Sequence, residues 1–295
     1  MKTQDPTKPF LTPDEKVANF KRKTDAIVAA SAAAKAKAES EDQLSLDLWP
    51  DPVRSFPNVV FRSALFGISK IRDVSKKRTL IAAVEGIEIR FKGERFNQTD
   101  LDVCEQLLHM AREHPLGSKI EFSAHSLLRA LGRDVGDSQH EQLKEDITRL
   151  TSGVVEITWT KEKKSFGGAL VNAYYRDEVT GRYVIEFSKK IRMLYDSGAT
   201  YVEWEQRKAL GQNNLAKWLH SFYATHANPF PYKVDTLREL CGSVGTLFAF
   251  RRQIKTGLQK LQGLGYITSW EIDDADLVHV KKIPTASQSR HLARS

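Results

Sequence analysis

This 295-residue chain has two cysteines and three methionines, and no apolar run approaches membrane length. A transmembrane helix needs roughly 20 such residues, so none is expected. Cys104 and Cys241 both fall inside apolar helical patterns, so they read as small core residues of a reduced compartment, not as a disulfide or metal pair. The dipeptide Gly-Lys is absent, which excludes a Walker-type phosphate loop. No His-x-His, His-Glu-x-x-His or Cys-x-x-Cys spacing occurs among His109, His114, His125, His140 and the rest, so the metal site of a DNA nickase has no ligands. Tyr174-Tyr175 then reads as strand packing and not as a nucleophile, and His220 and His226 read as satisfied or solvent-tipped core histidines on an aromatic helix face. We expect no catalytic site and no cofactor, hence not an enzyme. The N-terminus places Pro, Asp and Glu where a signal peptide needs an apolar centre, so a cytoplasmic protein is the simplest expectation.

Acidic residues are the other shortage. Lys plus Arg number 45 against 37 Asp plus Glu, a net charge of +8 that permits a polyanionic partner without requiring one. The hydrophobic share of 41% supports ordinary cores, and the length suits two domains plus tails.

One order of signals occurs twice, over 97–159 and 213–270. Each copy opens with an amphipathic helix, Leu101, Leu107, Leu108 and Ala111 or Leu215, Trp218, Leu219 and Phe222. A short strand follows (KIEF, FPYKV), then a capped short helix (SLLRALG, TLRELCG) and a longer amphipathic helix. Both copies then enter a β-run, VVEITWT or YITSWEI. Helix, strand, helix, helix and strand pair is the winged-helix plan, so the expected fold is α+β with two tandem winged-helix (helix-turn-helix) domains. The expected boundaries are a flexible, disordered N-terminal arm over 1–53, a first domain over 54–197, a second over 198–282 and a polar tail over 283–295. Two hairpins are expected in the first domain. RTLIAAV and IEIRFK flank Glu85-Gly86 and should close its sheet, while ALVNAYYR and RYVIEF flank DEVTG in the wing. Residues 187–195 read as a linking helix.

The 100° helical step sorts each long helix into faces. In the second copy Leu247, Phe250, Ile254, Leu258 and Leu261 point inward. Ala249, Arg251, Arg252, Lys255, Thr256, Gln259 and Lys260 are left outward or flanking. Arg holds guanine bidentately, Gln holds adenine, Ala or Thr meets a thymine methyl, and Lys neutralises phosphate, so this face has the composition of a base reader. A solvated cationic helix face is the plainer alternative. The following turn is less favourable, since Asp273, Asp274 and Asp276 repel phosphate and only Lys281 and Lys282 oppose them. In the first copy Leu143, Ile147 and Leu150 point inward, which puts Glu141, Glu145, Thr148, Arg149 and Ser152 outward. Its positive charge falls on the wing side, at Lys161, Lys163, Lys164, Arg176, Arg182, Lys189 and Lys190, residues suited to the phosphate backbone. The expected division is one module positioning and one specifying.

Outside both modules lies QLSLDLW, with Gln43, Leu44, Leu46, Leu48 and Trp49 flanked by acids and prolines. An alternating peptide beside a flexible arm has the form of a linear docking motif and resembles the bacterial sliding-clamp-binding consensus, with Trp49 where that consensus ends in Phe or a shorter apolar residue. The alternative is an edge strand packed on the first domain.

These features, with the strings GIEIRFKGERFNQTDLDV, SLLRALGR and LTSGVVEITWT, resemble the TrfA type of plasmid replication initiator from about Arg54 to Lys282. The resemblance implies a protein that binds direct repeats (iterons) in double-stranded origin DNA as a monomer, with an inactive dimer. It further implies opening of an adjacent AT-rich region with single-stranded DNA as a partner, recruitment of the host initiator, helicase and clamp, and a part in plasmid copy control. A winged-helix transcriptional repressor is the alternative that two modules and a basic face leave open.

Overall fold

The computed structural model describes residues 45–46, 48–285, 288–289 and 292–293, so Gln43, Leu44 and the remainder of the expected arm up to residue 44 lie outside the described residues. The chain from Ser45 forms one unit. It opens with β1 (Val53–Pro57), α1 (Asn58–Phe61) and β2 (Phe66–Gly67), followed by β3 (Val74–Ile81) and β4 (Ile87–Glu94). The last two are the hairpin expected at Glu85-Gly86, where Gly86 takes φ 87°, a backbone region open to glycine without steric cost. Next come β5 (Phe96–Asn97), α2 (Gln98–Ala111), β6 (Lys119–Ser123), α3 (Ala124–Ala130), α4 (Asp137–Ser152), β7 (Val154–Trp159), β8 (Lys164–Gly168), β9 (Ala173–Arg176) and β10 (Arg182–Glu186). A single 3-10 turn and the short α5 (Arg192–Asp196) occupy the stretch read as one linking helix. β11 (Ala199–Glu203) and α6 (Trp204–Ala209) then lead to α7 (Asn214–Ala224), β12 (Tyr232–Lys233), α8 (Val234–Leu240), α9 (Leu247–Gly263), β13 (Ser269–Ile272) and β14 (Leu277–Lys281).

The order helix, strand, helix, helix, strand, strand is thus present twice, as α2-β6-α3-α4-β9-β10 and α7-β12-α8-α9-β13-β14. The strands of each set form a three-stranded antiparallel sheet with the last strand in the middle, β6-β10-β9 and β12-β14-β13. Polar caps start the helices where the sequence places them. Ser123 Oγ accepts from the Ser126 amide at 3.1 Å, Asn213 Oδ1 from Ala216 at 3.0 Å and Thr246 Oγ1 from Ala249 at 3.3 Å.

One element departs from the expected plan. VVEITWT does not begin the wing of the first copy. It forms β7, which pairs with β4 (Ile89 opposite Ile157, Phe91 opposite Val155) and with β8 in a four-stranded sheet β3-β4-β7-β8. The first hairpin therefore does not close the sheet of the first module; it joins an inserted one. Both strands alternate apolar and polar residues, and pairing sets their apolar side chains on one face of the sheet, packed into the core that also holds Phe96 and Leu150, with Ile89, Phe91, Val155 and Ile157 inaccessible to solvent. The wing is deferred to β9 and β10, whose DEVTG turn is held by Asp177 Oδ1 accepting from the amides of Val179 and Thr180.

Two hydrophobic cores follow the two copies. The first runs from Leu46 to Trp204 and takes in Ala224; the second starts at Leu210 and runs to Val280. The stretch that leads from the first core to the second is structured, since β11 pairs antiparallel with β1 and α6 carries Trp204 and Arg207 inward. Cys104 and Cys241 are both buried and unpaired. Among the described residues no helix is long and apolar enough to cross a membrane.

The sequence makes α2 amphipathic, yet the structure covers it nearly all round, including Gln98, Asp100, Asp102, Glu105, Gln106 and His109. Those polar groups face partners. Arg207, whose side chain is fully buried, donates from Nε to Asp102 Oδ1 at 2.7 Å, from Nη2 to Gln98 Oε1 at 3.1 Å and from Nη1 to Ser221 Oγ at 2.8 Å. Glu105 Oε2 lies 2.8 Å from the same Nε, as an ion-pair contact outside hydrogen-bond geometry, so neither Glu105 oxygen receives a donor. Burial accordingly pushes the Glu105 carboxyl up to about 7 despite the neighbouring guanidinium.

Replacing Arg207 with Leu strands buried carboxylates and should cost about 3–5 kcal/mol in urea unfolding. Glu105 gives a separate pH test. Its unfolded carboxyl titrates near 4.5 and its folded one near 7, so its contribution to stability is whole below 4.5 and is lost as pH rises through 7. Glu105→Gln should gain on the parent across that window and then level off, whereas a constant difference from pH 4 to 8 would contradict the assignment.

Candidate nucleic-acid interface

α9 presents an open cationic face. Its inward side chains, Phe250, Ile254, Leu258 and Leu261, are inaccessible to solvent, each contributing about 1.5–3 kcal/mol by burial, and Leu247 is half-buried. Gly257 lets the helix lie against α7. A Cβ there would be 3.1 Å from Leu219 Cδ1, tighter than ordinary contact, and 3.5 Å from Leu215 Cγ. With that side fixed, Arg252, Lys255, Thr256 and Gln259 are exposed on the other, as the helical step requires.

The remaining three expected contacts are differently placed. Ala249 is half-buried at the cap. Lys260 turns its Nζ back to the Leu210 carbonyl at 2.8 Å. Arg251 makes a bidentate pair with Asp276, Nε to Oδ1 at 2.9 Å and Nη2 to Oδ2 at 2.8 Å, which holds that carboxyl below its usual range. The acidic turn between β13 and β14 is thereby explained. Asp276 sits at φ 64° and clamps the turn to α9, while Asp273 accepts from the amides of Ala275 and Leu277 and pairs with His279 at 2.8 Å. Two of the three acids are engaged in holding the turn. Lys282 is likewise turned inward, donating to the Tyr223 carbonyl at 3.0 Å, and burial lowers its ammonium to about 8; Lys281 is exposed.

Phe248 escapes the sequence reading altogether. It is 72% exposed, although Leu247 and Phe250 on either side of it point to the core. The helical step carries the signal: an apolar residue at 248 falls on the outward arc.

The first module offers a different surface. Glu141 and Glu145 of α4 are exposed as expected, but Arg149 is buried, donating to Asp100 Oδ1 at 3.0 Å and pairing with Asp146. Arg72 and Arg133 approach the same two carboxylates. The pull is electrostatic: two fully buried acids on α2 and α4 need compensation, and Arg149 is one helical turn from Asp146. Lys161, Lys163 and Lys164 are exposed, though not in this module's wing. They form the tip of the inserted β7–β8 hairpin, where Lys163 takes φ 53°. Arg176 and Arg182 do belong to the wing strands, paired with Glu178 and Glu121. Lys189 and Lys190 lie in the 3-10 turn after β10; Lys190 is exposed, while the stem of Lys189 packs beside Gly117.

Of the docking peptide, Leu46 and Trp49 are buried in the first core while Leu48 is 72% exposed. Trp49 Nε1 donates to His109 Nδ1 at 3.0 Å, and burial depresses His109 to about 4, which keeps the ring a neutral acceptor. The described part of the segment forms no strand. Among the other histidines, His226 is bonded to Phe222 and Tyr232, whereas His220 is buried with neither ring nitrogen partnered among the described residues, contrary to the reading of a satisfied core histidine. Tyr174 packs as expected and pairs through its hydroxyl with Thr148 at 3.0 Å.

Comparison with known proteins gives the following. Residues 15–282 match the family model described as TrfA protein. The plasmid replication initiator protein TrfA of Escherichia coli is 28% identical over 289 residues, covering 94% of this chain and 74% of that protein. Among solved structures, domains 2 and 3 of RctB superpose with a TM-score of 0.53 at 11% identity, over 79% of this chain and 99% of that one. The Pi initiator protein in complex with iteron DNA gives a TM-score of 0.50 at 11% identity, over 80% and 99%.

The Arg251–Asp276 pair has a measurable consequence on DNA. Asp276→Gly suits the positive φ and frees Arg251 beside the exposed face, so affinity for mixed-sequence duplex should rise and log K should fall more steeply with log salt, by about 0.9. An unchanged slope would place Arg251 away from phosphate.

Proposed function

The chain belongs to the TrfA family of plasmid replication initiators, and on that premise we propose that it is a non-enzymatic, origin-binding protein of two winged-helix modules. The observation that carries this reading is the face of α9, where Arg252, Lys255 and Gln259 are exposed beside Thr256, whose hydroxyl donates to the Arg252 carbonyl at 3.3 Å, on a helix whose opposite side is packed. α9 occupies the recognition-helix slot of its module, the third helix, followed by the strand pair of the wing. Arg252 and Gln259 supply hydrogen bonds to base edges, and Lys255 supplies charge to the backbone. Exposed Glu141 and Glu145 disfavour the same role for α4. The first module therefore positions the protein through backbone contacts, with Lys161, Lys163, Lys164 and Lys190 among its exposed cations. Its DNA is double-stranded and carries direct repeats, consistent with the fold shared with an initiator solved on iteron DNA. Opening of AT-rich DNA, recruitment of host initiator and helicase, a monomeric binding form and cytoplasmic residence complete the proposal. Clamp docking through 43–49 requires Leu46 and Trp49 to leave the first core, because both are packed there.

Arg252→Ala should lower discrimination at one base pair by about 1–3 kcal/mol and leave affinity for random duplex nearly unchanged, measured by competition binding. Equal loss on both DNAs would remove Arg252 from base reading. A footprint of the full chain on its parent replicon should show directly repeated sites, whereas inverted half-sites alone would favour a repressor.

A further inference from the structure

Phe248 is an aromatic ring that the fold does not use. Neither hydrophobic core includes it, and 72% of it is open to solvent. It lies on the first turn of a 17-residue helix, directly after the Thr246 cap. On a 100° step, Arg252, Lys255 and Gln259 all fall within about 40° of it, so the ring stands amid the free polar side chains of α9. The chain thus places an apolar group at the N-terminal end of a cationic face, and the inward positions at Leu247 and Phe250 are already filled.

That combination selects its occupant. Arg252 and Lys255 on adjacent turns suit a polyanion, which disfavours an apolar protein groove. On duplex DNA the major-groove edges present hydrogen-bonding groups and a single kind of apolar group, the C5 methyl of thymine. The first turn of a recognition helix is the part that reaches those edges. We propose that Phe248 is a specificity-determining residue that packs on a thymine methyl, with Arg252 and Gln259 hydrogen-bonding to neighbouring bases and Lys255 on phosphate. The proposal rests on the reading of α9 as the helix that enters the groove.

The test begins with a duplex selected from a random library by the full chain. Each thymine of that duplex is then replaced in turn by deoxyuridine, which removes one methyl and nothing else. Wild-type protein should lose affinity at one or two positions by about fourfold, the effect of returning one buried methyl to water. Phe248→Ala should bind the selected duplex more weakly by a similar factor and be indifferent to uracil at those positions. Phe248→Leu should keep part of the discrimination. The slope of affinity against salt should be the same in all three, since no charge changes.

If wild type shows no uracil penalty at any position, or if Phe248→Ala retains the whole of it, Phe248 does not read thymine. Arg252→Ala, measured alongside, separates this from failure of the broader reading. Loss of selectivity in Arg252→Ala with no uracil effect in wild type sinks only the Phe248 assignment. Selected-site binding unchanged in both Arg252→Ala and Phe248→Ala sinks the groove-reading role of α9 and this proposal with it.

Discussion

A guanidinium with no access to water holds the two halves of this molecule together. Arg207, in the segment between the modules, bonds to Asp102 and Gln98 on the central helix of the first and to Ser221 on the opening helix of the second. A buried charge of this kind is tolerable only with partners in place, so the geometry that satisfies Arg207 also fixes how the modules meet. Other contacts across the same junction depend on that arrangement. Trp218 donates its indole N–H to the Ser63 carbonyl at 3.1 Å, the Ile68 amide donates to Cys241 at 3.0 Å, and Arg62 reaches Thr225. Glu105 lies in the same cluster without a donor of its own and is the element of it that responds to pH near neutrality.

A fixed junction matters because the modules present different surfaces. Both use the same order of elements and the same strand order, but charge is spent differently in each. In α4 the arginine at 149 is drawn inward by Asp100 and Asp146, leaving Glu141 and Glu145 outside. In α9 the core side carries no buried acid, and Arg252 and Lys255 stay free. One scaffold thus yields an outward face with two carboxylates on α4 and an outward face with two cations on α9, and Arg207 bonds to both modules between them. The acidic turn after β13, unfavourable when read as charge alone, is a structural clamp on α9.

The periodic elements were legible from the sequence, because a 3.6-residue or two-residue period is a local property. The helices of both copies, the inward set of α9 and the hairpin at Gly86 follow directly from it. Partnership was not legible. Strand β7 alternates as a wing strand should, and only the equally alternating β4, far earlier in the chain, decides that it pairs elsewhere. Arg149 is outward by charge and inward by its two buried acids, which lie on separate helices. The same limit applies to Leu46 and Trp49, whose alternating peptide reads as exposed until His109 and the first core supply a place for it. Of the seven α9 residues named from sequence, Arg252, Lys255, Thr256 and Gln259 are exposed as the helical step requires. Arg251 and Lys260 are lost to neighbours that helical placement does not reveal, and Phe248 is gained.

The central claim is that α9, and not α4, enters the groove of duplex DNA. Cys104 and Cys241 are buried, so a single cysteine placed on the surface takes a thiol-reactive iron chelate selectively. With the chelate on Gln259→Cys, bound duplex should be cleaved over a few adjacent nucleotides at a fixed place within each repeat. The same chelate on Glu141→Cys should cleave weakly and without that focus. Focused cleavage from position 141 with none from position 259 would contradict the account.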